Sequence, residues 1–107
     1  MKEAKIDLNR FRSEGVKVYS GRIRGDLVRK ELKLDSLEKN YDHIDVEIPN
    51  DIYAISASFF LSLFGDSIRT LGKEKFLSIY DFKVDDPLIR KDIEEGVDRA
   101  TKLHHVL

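Results

Sequence analysis

Cysteine is absent from the chain, which removes disulfides, thiolate metal sites and cysteine nucleophiles and fits a reducing compartment. Proline is scarce, with Pro49 and Pro87 the only two, so the chain is punctuated by helix caps more than by breaks. No apolar run approaches the ~20 residues of a membrane span. The opening Met-Lys-Glu-Ala-Lys-Ile-Asp lacks the apolar core of a signal peptide, so a cytoplasmic location without membrane attachment is expected. An excess of one charge is missing too. A formal net charge of −1 gives no global reason for a nucleic-acid or membrane-surface partner, and partners have to be argued from local sites. The sequence also shows no repeat, low-complexity tract or Pro/Gly/Ser linker.

What is present is the composition of a well-solvated globular protein: 107 residues, 41% hydrophobic and 36% charged, read as one domain over residues 1–107. Ala4, Ile6 and Leu8 alternate with charged residues, the pattern of a half-buried strand. After a polar connection through Arg10, Arg12, Ser13, Glu14 and Gly15, Val16 to Tyr19 gives a second strand, close enough for an antiparallel hairpin. From Arg22 the residues Ile23, Leu27, Val28 and Leu32 fall at helical spacing, with Ser20 as the expected N-cap. Leu34, Leu37 and Tyr41 suggest a short helical turn or loop on the surface, leading out of the first helix. Ile44, Val46 and Ile48 alternate again, up to Pro49.

The most patterned stretch is Ile52 to Gly72. Phe60, Leu63, Phe64, Ile68 and Leu71 recur at three- and four-residue steps, Ser56 or Ser58 stands where the helix should begin, and Gly72 stands just past its end. Lys73 to Lys75 reads as a charged turn, and Phe76 to Val84 as the last strand region, with a helical turn at its start. Asp86 and Pro87 open the final helix, whose stripe is Leu88, Ile89, Ile93, Val97, Ala100 and Leu103, with Gly96 as a close-packing point. The expected architecture is α/β: a mixed sheet of about four strands in the order β-β-α-β-α-β-α, helices largely on one face and the other face partly open to a partner.

Two segments can carry function. A serine at a helix N-terminus is a cap, but it is also a good phosphoacceptor, because added negative charge meets free amides and the positive end of the helix dipole. Ser58 and Ser56 are the candidates, with Tyr53, Ser56, Ser58 and Phe59 as the expected partner-contacting surface. The second segment is Ser20-Gly21-Arg22-Ile23-Arg24-Gly25 with Arg29, where guanidinium groups beside a helix start could hold a small anion or a nucleotide. Its spacing matches neither phosphate-binding fingerprint. His104 and His105 are adjacent and cannot face one metal from one helix, so neither a metal nor another cofactor is expected. They read instead as favourable cations at a helix C-terminus. No catalytic constellation is visible, and an enzyme is not expected.

Val18-Tyr19-Ser20-Gly21-Arg22 with Gly25 and Arg29, then Ile55-Ser56-Ala57-Ser58-Phe59-Phe60 with Leu63-Phe64-Gly65, then Leu71-Gly72, resemble the bacterial STAS-like domain family, related in fold to the STAS domain of anti-sigma factor antagonists. The resemblance covers roughly Val16 to Leu103. It implies a non-enzymatic regulatory module that binds a protein, and in the antagonists the partner switches when a histidine-kinase-like ATPase phosphorylates a serine. The antagonist motif has an Asp, two Ser or Thr residues and a Gly. Here Ile55 or Ser56 stands in place of the Asp, and Ser58 or Phe59 in place of the Gly. One register puts the phosphoacceptor at Ser58, and the other puts it at Ala57, which has no hydroxyl.

Overall fold

The computed structural model describes residues 2–12 and 15–106, with side chains as far as Lys102. The expectations for Ser13, Glu14, Leu103, His104 and His105 therefore lie outside the described residues or side chains. Strand β1 spans Glu3–Asp7, β2 Val18–Tyr19, β3 His43–Glu47, β4 Ala54–Ile55 and β5 Tyr80–Lys83. Helices α1 to α5 span Arg22–Leu32, Leu34–Asn40, Ala57–Leu71, Lys73–Ile79 and Pro87–Val106.

The strands form two small parallel sheets, β1-β3-β5 and β2-β4. The expected antiparallel hairpin and single mixed sheet are thus corrected. Asp7 caps a 3₁₀ turn at Leu8–Phe11 by accepting from the Asn9 amide at 3.0 Å. The chain turns away there instead of folding back, so β1 pairs with β3 and β2 with β4. The Tyr19 hydroxyl donates to the Leu8 carbonyl and ties the two halves of this connection together.

Alternation decides which sheet face is covered. Ile6 on β1, Ile44 and Val46 on β3, and Tyr80 and Phe82 on β5 are buried, and α3 lies on them. Phe64 sets its ring 5.4 Å from both Tyr80 and Phe82, and Phe60 packs 6.2 Å from Phe82. Two glycines let the neighbouring helices close on α3. A Cβ on Gly25 of α1 would stand 1.8 Å from the Ser62 hydroxyl, and one on Gly96 of α5 would stand 2.2 Å from the Phe60 ring. The opposite face is charged: Glu3, Lys5, Asp7, His43, Asp45, Glu47, Asp81 and Lys83 point away from the core, all exposed or half-buried.

Several local expectations hold. Asp86 accepts from the Leu88 amide at 2.8 Å, and Gly72 ends α3 with φ 87°, a conformation that favours glycine. Others need correction. Ser20 does not cap α1: the N-cap is Gly21, at φ 94°, and no side chain satisfies it. The short helical turn or loop expected after α1 is the helix α2, but it is not all surface, because Leu34 enters the core. The helical turn expected at the start of the Phe76 to Val84 region is the second half of helix α4, which already begins at Lys73 where a charged turn was expected, and the strand itself starts only at Tyr80. Ile23 and Leu27 are 78% and 56% exposed and Leu88 is 66% exposed, because nothing among the described residues covers those sides of α1 and α5.

Candidate functional site

Ser56 is the N-cap of α3. Its backbone is extended, and its hydroxyl accepts from the Phe59 amide at 3.2 Å. The turn is held from two sides, with the Ser56 amide donating to the Tyr19 carbonyl at 2.8 Å and the Ile55 amide to the Asp92 carboxylate of α5 at 3.0 Å. Ser58 sits in the first helical turn, exposed, its hydroxyl 3.2 Å from that of Ser56. The two candidate serines therefore divide the roles: Ser56 caps the helix, and Ser58, hydrogen-bonded only to Ser56 among the described residues, presents its hydroxyl to solvent. Of the expected partner surface, Tyr53 is 62% exposed, but Phe59 is corrected to a core residue, stacked on Tyr19 at 5.1 Å.

Beside Ser58 runs a groove of about 460 Å³ between α1, α3 and α5. Arg22 enters it from the start of α1, Arg99 from α5, and Asp66 and Arg69 from α3. Asp66 and Arg69 neutralise each other at 2.6 Å. Arg22 and Arg99 form no hydrogen bond or ion pair among the described residues. Arg22 was legible in the sequence as an anion-binding candidate. Arg99 was not, because it is 41 residues from Ser58 and no local motif marks it.

The other members of the arginine segment are dispersed. Arg24 donates to the Phe11 carbonyl at 3.0 Å on a different flank of α1, and Ser20 is exposed beyond the helix. Arg29 is two turns from Arg22 and serves the fold, donating to the Leu63 carbonyl at 2.7 Å, the Ser67 hydroxyl at 3.0 Å and Asp35 at 2.8 Å. Ser67 and Tyr80 both donate to Glu38, so this network joins α1, α2, α3 and β5. The four residues Ser20, Arg22, Arg24 and Arg29 do not form one site.

Burial pushes the Tyr19 hydroxyl up to about 12, and burial together with the Glu38 hydrogen bond raises that of Tyr80. Both tyrosines bind their protons more tightly folded than unfolded, where release occurs near ~10. Their stabilisation is complete below that value and is lost as pH rises above it, for Tyr19 on passing about 12. Phenolate absorbance should therefore show these two protons leaving together with loss of the circular-dichroism signal. Release before unfolding would contradict their burial.

On the open sheet face, His43, Asp45 and Asp81 bring one ligand-capable atom each within 4.8 Å of one another. The sequence did not show this group, because Asp45 and Asp81 meet only through the β3–β5 register. Lys83 supplies its counter-charge, 2.7 Å from Asp81 and 3.9 Å from Asp45. The contact with Lys83 lowers the Asp81 carboxyl and raises the Lys83 ammonium. The local chemistry is that of a surface ion-pair cluster. Among the described residues no helix is long and apolar enough to cross a membrane. Comparison with protein-family models, with curated proteins and with solved structures gives no match.

Proposed function

We propose that this protein is a non-enzymatic regulatory module of STAS-like type that binds a protein partner at the Tyr53 to Ser58 turn and is switched by phosphorylation of Ser58. The observation that carries the reading is the convergence of an exposed serine in the first turn of α3 with Arg22 and Arg99, which have no partner of their own among the described residues. A phosphoryl group on Ser58 would gain charge-assisted bonds from two guanidinium groups and favourable interaction with the helix dipole. The exposed Tyr53 ring supplies apolar contact area beside that charge change. A kinase of the histidine-kinase-like ATPase class is the partner the family resemblance supports. The alternative, a free-standing anion or nucleotide site on Ser20, Arg22, Arg24 and Arg29, retains only Arg22 in the groove.

Intact-mass analysis of protein recovered from the native cell, combined with pull-downs using wild type, Ser58→Ala and Ser58→Asp as bait, tests the proposal. One added phosphoryl group, absent in Ser58→Ala, and a partner held by Ser58→Ala but lost by Ser58→Asp are expected. A protein unmodified in every growth condition, with identical partners for all three baits, overturns the switch.

A further inference from the structure

The charged cluster on the open face of the main sheet is carried by two adjacent strands. His43 and Asp45 stand at i and i+2 on β3, so both side chains leave the same face. Asp81 is the register partner of Asp45 on β5 and points to that face as well. The register thus sets two carboxylates side by side, an arrangement that costs stability unless a cation stands between them. His43 and Asp45 keep only 30% and 25% of their side-chain surface in solvent, so their surroundings limit where the ligand atoms can go.

The donor set is one imidazole nitrogen and two carboxylates. His43 Nε2 lies 2.9 Å from Asp45 Oδ1 and 3.9 Å from Asp81 Oδ2, and one ligand atom from each residue falls within 4.8 Å of the others. Metal bonds of about 2.0–2.2 Å to histidine nitrogen and carboxylate oxygen put tetrahedral ligand atoms about 3.3–3.6 Å apart. The two histidine separations bracket that spacing, so small side-chain rotations on fixed strands reach it. Three protein ligands with water in the remaining position make an open zinc-type site. The imidazole selects against magnesium and calcium, which take shells of oxygen.

Lys83 supplies the positive charge in the metal-free chain. Its ammonium is 2.7 Å from Asp81 Oδ2 and 3.9 Å from Asp45 Oδ1, beside both carboxylates. That single charge sits on a flexible stem, half in solvent, which can swing away and leave the carboxylates to a doubly charged ion. Lys5, opposite Asp45 on β1, is turned to Glu47 at 3.5 Å.

We propose that His43, Asp45 and Asp81 bind one divalent transition-metal ion of the zinc type on the open sheet face, with water completing the coordination and Lys83 displaced. His43 coordinates through the Nε2 lone pair with its ring proton on Nδ1, and the His43–Asp45 hydrogen bond gives way to two metal bonds. The site lies across the sheet from α3, so it stands independently of the Ser58 switch.

Titration of the untagged protein with Zn²⁺ at neutral pH, in competition with a chromophoric chelator, tests the site. One ion should bind per chain. His43→Ala and Asp81→Asn should each weaken binding at least about tenfold, since even the loss of an outer-shell partner has an effect of that size. Lys83→Gln should bind more tightly than wild type, because the competing ammonium is gone. His104→Ala/His105→Ala removes the other two histidines of the chain and should bind as wild type does. Equimolar Mg²⁺ or Ca²⁺ should leave the bound Zn²⁺ in place. Circular dichroism verifies that each variant is folded. Four results overturn the proposal: no saturable binding by wild type or Lys83→Gln, binding unchanged in His43→Ala and Asp81→Asn, binding lost in His104→Ala/His105→Ala, or no gain in Lys83→Gln. Displacement by Mg²⁺ or Ca²⁺ overturns the assignment to a zinc-type ion.

Discussion

Phe64→Ala should cost about 3–5 kcal/mol of unfolding free energy, the range for deleting a buried ring whose surroundings cannot collapse into the space. Phe64 is buried on α3, with ring centroids of Phe60, Phe76, Tyr80 and Phe82 all between 5.3 and 5.8 Å away. Those neighbours come from α3, α4 and β5, so the cavity would open where three elements meet. A domain of this size has ~5–15 kcal/mol in total, and the variant should lose a large share of it. Urea unfolding followed by circular dichroism measures the loss through the midpoint. A loss under about 1 kcal/mol would mean that the aromatic cluster is not the centre of the core.

Gly25→Ala tests a different kind of contact, because two effects of opposite sign compete. Alanine is the better helix former by about 1 kcal/mol, and on that ground alone α1 should gain stability. The new Cβ, however, would lie 1.8 Å from the Ser62 hydroxyl and 2.6 Å from the Phe59 carbonyl oxygen, and the latter is backbone and cannot rotate away. Separating α1 from α3 also disturbs Arg29, whose bonds to Leu63 and Ser67 cross that interface. The net result should be a loss of about 2–4 kcal/mol, in the range of overpacked cores and broken polar contacts. Gly25→Ala/Ser62→Gly removes one clash and leaves the carbonyl clash, so its rescue should be partial. A Gly25→Ala protein more stable than wild type would refute the close crossing.

The parts of this fold that could be read from the sequence are those in which burial writes its own period. Ile44, Val46 and Ile48 alternate because β3 has one covered face, and Phe60, Phe64 and Ile68 recur because α3 lies on it. The Ser56 cap and the Gly72 terminus were legible because helix ends impose local chemistry. Strand pairing was not, since it joins residues far apart and a nearby strand is always the tempting partner. Nor could the exposure of Ile23 and Leu27 be read, because an apolar stripe does not state what covers it. For the candidate site, Ser58 and Arg22 were each visible as residues, but their meeting depends on the crossing of α1 and α3. Arg29 lies on the same side of α1 as Arg22, yet the ~10 Å rise between them delivers it to a later turn of α3.

The all-parallel pairing also fixes the order in which the protein can assemble. Glu3 pairs with His43 and Ile44 with Tyr80, so each ladder of the main sheet closes only after a loop of several tens of residues has been brought together. Among the described residues no tight hairpin is available to nucleate it. α3 and its neighbours can condense locally, but β1 gains a partner only once β3 has been made. Such topology places folding among the slower small domains, on the order of milliseconds to seconds. Until then the chain exposes the apolar strands around Ile44, Val46 and Phe82, which makes the interval before closure the period of greatest risk of aggregation.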